Sequence, residues 1–157
     1  AALAAFDAAL AGAGSPAAIY AALETLALAT IGAKLFTVMA ADMDAGVSRR
    51  VHTSDPAHYP VAGEKPINRT RWFDIVHTER RPFVANTIAE IAEVFPDHAL
   101  IGSLGCGSVV NLPVLVAGRF LGTVNLLHEE HFYTPERVAR ALAVLSLPGK
   151  AALLAAR

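Results

Sequence analysis

The sequence predicts a single α+β domain: an antiparallel sheet with helices from both ends of the chain on one face and an irregular middle over the other. Three observations lead there. Helical stripes open and close the chain, strand-like runs come in adjacent pairs joined by short turns, and the stretch between the pairs holds only short apolar periods. Terminal helices can then share one sheet face while the middle covers the other.

The elements follow in order. Leu3, Phe6 and Leu10 sit at helical spacing, and Gly12 and Gly14 close that segment. Ser15-Pro16 is a helix start, because the hydroxyl caps free amides and a first-position proline loses no intrahelical bond. Ile19, Leu23, Leu26 and Thr30 follow on one face, with Gly32 as the stop. Leu35 to Ala41 is rich in β-formers, Asp42 to Gly46 reads as a turn, and Val47 to Thr53 completes a hairpin. Pro56, Pro60, Gly63 and Pro66 predict loop or very short elements over 54–68. A helix is expected over Arg69 to Arg80, a short strand over Pro82 to Ala85 and a short helix over Thr87 to Val94, ended by Pro96-Asp97. Ser108 to Val116 and Phe120 to His128 are the strongest strands, joined at Ala117-Gly118-Arg119. Thr134-Pro135 opens the last helix, striped by Val138, Leu142 and Leu145. Pro148-Gly149 is expected to kink or interrupt it.

Composition narrows the function. The 157 residues carry 13 basic and 14 acidic side chains, a net charge of −1, so the basic surplus that nucleic-acid binding uses to displace counterions is missing. Of the 54% hydrophobic residues 32 positions are alanine, yet a domain of this size buries roughly 70% of its unfolded surface without staples. Cys106 is the single cysteine, which excludes a disulfide scaffold and any site of two thiolates. Mean hydropathy is +0.44. The longest uncharged stretch, Ala99 to Gly118, contains three glycines, Asn111 and Pro113 before its final Gly118, unlike a membrane span. Ala1 to Gly14 lacks a basic n-region and does not read as a secretory signal. The expectation is a cytoplasmic protein with neither membrane nor nucleic acid as partner.

Motifs of metal and phosphate chemistry are weak. His128-Glu129-Glu130-His131 places its histidines three apart in a strand-to-helix connection, whereas the zincin pattern needs four on a helix. His52 and His58 can approach across the 54–60 loop, without a third ligand. Gly102-Ser103-Leu104-Gly105-Cys106-Gly107 is glycine-rich but lacks the lysine of a phosphate loop.

Several strings resemble the GAF domain family. Ser108-Val109-Val110-Asn111-Leu112-Pro113-Val114 is similar to its strand ending in small-apolar-proline-apolar. Gly118 to Leu126 resembles its hairpin turn and final strand, and Phe132 with Pro135-Glu136 its lead-in to the closing helix. Trp72 to Val76 followed by Pro82-Phe83-Val84 resembles its middle helix and short strand. The likeness covers roughly residues 16–147 of the single domain 1–157. It implies a six-stranded antiparallel sheet, terminal helices on one side that often dimerise, and a middle segment folded over a small-molecule pocket. A PAS domain is the nearest alternative fold. The closing hairpin followed directly by a helix favours GAF.

The family's known chemistries fit unevenly. Its free methionine sulfoxide reductases cycle several pocket cysteines, and Cys106 has no partner. Bilin carriers attach chromophore at a Cys-His pair, but Gly107 follows Cys106. Cyclic-nucleotide binders carry a spaced Asn-Lys-Phe-Asp-Glu set, of which Asn125, Phe132 and Glu136 are only a partial echo. The cofactor is therefore left unknown, and no metal is expected.

What remains is polar punctuation in apolar strands. Asn111 and Asn125 each lie about seven residues from the Ala117-Gly118 centre, which places them opposite or diagonal on one sheet face with Thr123. An unpaired buried amide costs about 1–3 kcal/mol, so both need partners: a ligand, water, loop backbone or each other. The reading adopted is a non-catalytic small-molecule sensor in signal transduction. Its expected ligand-binding residues are Trp72, Phe83, Phe95, Leu104, Cys106, Asn111, Thr123 and Asn125, with Arg69 and Arg71 able to receive an anionic group at the rim. Two alternatives stand beside it. One is a homodimerisation module with a self-filled pocket, using the Leu3/Phe6/Leu10, Ile19/Leu23/Leu26 and Val138/Leu142/Leu145 stripes. The other is a thiol enzyme using Cys106.

Overall fold

A computed structural model describes residues 1–157. The chain opens with α1 (Ala2–Gly12) and α2 (Pro16–Thr30), then forms the hairpin β1 (Leu35–Asp42) and β2 (Val47–Thr53). A two-residue β3 (Lys65–Pro66), the single turn α3 (Arg71–Phe73), β4 (Phe83–Ala85), α4 (Ile88–Ala92) and α5 (His98–Ser103) make up the middle. The long hairpin β5 (Ser108–Val116) and β6 (Arg119–His128) leads to α6 (Pro135–Ala155). The strands form one antiparallel sheet of six in the order β3-β2-β1-β6-β5-β4.

Alternation along the strands divides the core in two. Phe36, Val38, Val110, Leu112, Val124 and Leu126 meet α1, α2 and α6 on one face. Leu35, Val109, Phe83 and Leu127 lie on the other, with Ile75, Val76, Ile91 and Ile101 of the middle segment packed over them. Both faces are therefore covered, the arrangement an apolar sheet in water requires.

Local chemistry sets the boundaries. Ser15, Thr70, Thr87 and Thr134 each accept a backbone N–H at a helix start. Thr134 holds Arg137, whose guanidinium donates to the Ile31 carbonyl at 2.8 Å, and the Tyr133 hydroxyl donates to Gly32 O at 3.0 Å. These bonds satisfy the end of α2 from the start of α6. Pro113 is tolerated inside β5 because β4 ends opposite Val109–Asn111, leaving the edge of β5 away from β6 unpaired at the proline.

Three elements differ from expectation. The helix over Arg69 to Arg80 is one α turn followed by a π-helical turn, Asp74–Thr78, in which Phe73 stacks on His77 with centroids 4.5 Å apart. The stretch after Pro96-Asp97 contains α5, hidden in the sequence by Gly102, which faces Ile88 of α4. The helix α6 runs uninterrupted through Pro148, which is buried beside Gly149. Gly149 brings the helix backbone against Val124 and Val114, and that packing compensates the missing bond. By length and composition α6 passes the test for a membrane-crossing helix, but Ala141, Leu145, Ala152 and Leu153 belong to the terminal-helix core.

Two bulges re-aim side chains. The β1–β2 register slips between Val38↔His52 and Met39↔Arg50, leaving Val51 unmatched and turning Arg50 to the middle-segment face. The β5–β6 register slips between Val114↔Gly122 and Leu115↔Phe120. Beside that second bulge Gly122 has φ +146°, and a Cβ there would collide with the Met39 carbonyl of β1. Gly122→Ala should lower unfolding free energy by at least about 2 kcal/mol in urea denaturation. A stability equal to the parent's would show that β1 and β6 are not held at this spacing.

Candidate functional site

Asn111 and Asn125 are directly paired across β5 and β6, and both are buried. Their orientation follows from a third residue. The Trp72 indole, which can only donate, gives its N–H to Asn111 Oδ1 at 2.9 Å. Asn111 Nδ2 must then face β6, where it donates to Asn125 Oδ1 at 2.7 Å. Asn125 Nδ2 in turn donates to Thr37 Oγ1 at 3.1 Å on β1. One polar chain thus crosses three adjacent strands and ties α3, just before the π turn, to the sheet. The Asn pair expected from the sequence is satisfied within the protein, and each amide nitrogen keeps one N–H unused.

Above this chain lies a cavity of about 370 Å³. Its floor is Thr37, Thr123, Asn111 and Asn125, with Trp72 and Phe95 as aromatic wall. Thr123 is fully buried and its hydroxyl has no hydrogen-bond partner. The mouth is formed by β2, β3 and the loop between them: Arg50, Tyr59, Ala62 and Lys65, with Asp97 opposite. The Arg50 guanidinium lies 3.7 Å over the Tyr59 ring and donates to Pro60 O at 2.7 Å. Tyr59 donates its hydroxyl to Asp97 Oδ2 at 2.6 Å. Burial, then that carboxylate, pushes the phenol far above its ordinary range, so it remains a proton donor throughout the physiological range.

Five of the eight residues expected at the site line the cavity: Trp72, Phe95, Asn111, Thr123 and Asn125. Three do not. Phe83 is buried behind Phe95, edge to face at 5.9 Å, and Leu104 packs into the apolar cluster at the end of α5. Cys106 sits at the entrance of β5 beside a separate shallow depression with Glu129 and Glu130. The rim arginines differ as well. Arg69 lies over the Phe73 ring at 5.8 Å and Arg71 pairs with Glu93 at 3.5 Å, both away from the cavity. The cations at the mouth come instead from β2 and β3. Alternation alone points Val51 toward the cavity; only the bulge delivers Arg50. The histidines also separate, His52 bonding Glu24 at 2.7 Å and His58 bonding Asp55 at 3.1 Å.

The architecture agrees with solved structures. A free methionine-R-sulfoxide reductase of Neisseria meningitidis, solved with its substrate, superposes at TM-score 0.69 with 17% identity, covering 99% of this chain and 87% of the other. The GAF domain of a phosphoenolpyruvate-protein phosphotransferase of Coxiella burnetii gives 0.67 and 17%, covering 98% and 90%. The GAF domain of a two-component sensor histidine kinase of Bacillus halodurans gives 0.65 and 8%, covering 83% and 90%. The chain has a GAF-like fold. Neither a family model nor a curated sequence matches it.

Within the GAF-like frame, Cys106 is poorly placed for thiol chemistry. It is 4% exposed, and burial pushes its thiol up, a shift that Lys34 only partly offsets. A raised pKa means less thiolate at any given pH, hence slower nucleophilic attack. Iodoacetamide should alkylate the native protein at neutral pH at least about tenfold more slowly than the urea-unfolded chain. Equal rates would return Cys106 to consideration as a nucleophile. Removing the amide at the centre of the polar chain should also be costly. Asn111→Leu strands the Trp72 indole N–H and is expected to lose about 1–3 kcal/mol by chemical denaturation, with a shift in Trp72 emission.

Proposed function

We propose that this GAF-like domain is a non-catalytic sensory module that binds a small molecule between the sheet and the middle segment. The observation that carries the reading is the Thr123 hydroxyl, fully buried, unpartnered and lining a cavity of about 370 Å³. A buried hydroxyl without a partner is destabilising unless something else supplies one. The volume lies in the range of small-molecule sites, and the aromatic wall with a few convergent polar groups matches their usual make-up. The sensor-kinase origin of a structural neighbour supports a signalling role. The single cysteine and its burial favour binding over a cysteine-based reduction.

A second reading rests on the terminal helices. Phe6, Ile19, Leu23, Leu26 and Leu145 of the expected dimer stripes are buried in the chain's own core, whereas Leu3, Leu28, Leu142, Leu147 and Leu154 are exposed. Self-association would use this second set.

Native mass spectrometry of protein purified from its own host tests both readings, since it reports bound mass and subunit number together. A bound organic species is expected. It should be lost in Ala62→Trp, which fills the mouth, and reduced in Thr123→Val. Thr123→Val should meanwhile keep or raise stability, by up to about 1–3 kcal/mol, because it removes an unsatisfied group. A Thr123→Val protein that is destabilised and retains the bound mass would assign the hydroxyl to structure alone.

A further inference from the structure

We infer that the molecule taken by the cavity is an organic anion: a flat apolar body against Trp72 and Phe95, acceptor atoms toward the floor, and an acidic group at Arg50. The inference rests on the cavity being a binding site and adds the chemical class of what enters it.

The floor is the first argument. The polar groups left over there include two amide N–H donors and one hydroxyl. Asn111 Nδ2 and Asn125 Nδ2 each have a second N–H, their amide oxygens are already engaged by Trp72 and Asn111, and the Thr123 hydroxyl is free. Because the indole fixes the direction of the whole chain, the amides cannot flip to offer oxygens instead. A ligand that satisfies the two amide N–H groups brings lone pairs, and the Thr123 hydroxyl can accept from it or donate to it.

The mouth is the second. Arg49, Arg50 and Lys65 line the cavity against one carboxylate, Asp97, although the molecule as a whole carries −1. Neither Arg50 nor Lys65 belongs to any ion pair, whereas Arg71, Arg81 and Arg119 are each paired with a carboxylate. Asp97 already accepts the Tyr59 hydroxyl, and the tyrosine lies under the guanidinium. Arg50 is therefore held flat by Tyr59 and by one bond to Pro60 O, and no carboxylate pairs with it. A guanidinium fixed in this way is suited to a carboxylate, sulfonate or phosphate group, which it meets through short charge-assisted bonds.

Trp72 is the chain's single tryptophan, so its emission reports what occupies the cavity. Two dyes of nearly equal size separate the charge question from the pocket question: anilinonaphthalene sulfonate and its uncharged parent, N-phenylnaphthylamine. The sulfonate should bind one to one at low salt, quench Trp72 and bind about tenfold or more tightly than the neutral dye. Arg50→Gln should abolish that preference while leaving neutral-dye binding unchanged, with Arg50→Lys intermediate. Lys65→Gln, which removes an exposed side chain, should narrow the gap without disturbing the fold. If both dyes quench Trp72 equally, and Arg50→Gln changes neither, the anion assignment is wrong while the pocket stands. If neither dye quenches Trp72, the pocket reading falls and this inference falls with it.

Discussion

The Trp72–Asn111–Asn125–Thr37 chain is the constraint on which the rest of the structure depends. An amide inside an apolar sheet is stable only when hydrogen-bonded, and here each amide is satisfied by the next strand or by the indole. The chain therefore fixes three things together: the pairing of β5 with β6, the nearness of β1, and the position of the π turn over the sheet. It also divides labour among donors and acceptors. The amide oxygens are engaged internally, and what is left at the cavity floor is one N–H on each amide and the Thr123 hydroxyl.

The two faces of the sheet obey different rules. Toward the terminal helices the strands present Val, Leu and Phe, and the contact is dry packing. Toward the middle segment the same strands present Thr, Asn and Met among Leu, Val and Phe, and the covering pieces are short helices and loops. Short elements with few hydrogen bonds of their own cannot collapse fully onto such a face, and the unfilled space is the cavity. The aromatic residues Trp72, Phe95 and Phe83 bridge part of the gap, edge to face.

Much of this was legible in the residues themselves. Hydroxyl-proline starts located α2 and α6, and hairpin symmetry about Ala117-Gly118 placed Asn111 beside Asn125 on one face. The losses have physical causes. A strict period of two cannot register Val51 as unmatched, so nothing in the strand pattern marks Arg50 as a cavity residue. Glycine at 102 reads as loop, yet it lies inside α5, facing Ile88 of α4. Arg69 and Arg71 adjoin Trp72 in sequence, but the indole turns inward while their guanidinium groups meet Phe73 and Glu93. Phe83 was expected at the ligand-binding wall, but it lies one layer deeper, behind Phe95.

Gly149 has a mechanical consequence. At this point α6 has no side chain to cushion its approach, and its backbone rests on Val124. Val124 lies between Thr123 and Asn125 in sequence and points the opposite way. The cavity floor and the closing helix are thus separated by the thickness of one strand, with no compressible layer between them. A displacement of β6 toward the helices would therefore press directly on the α6 backbone at Gly149.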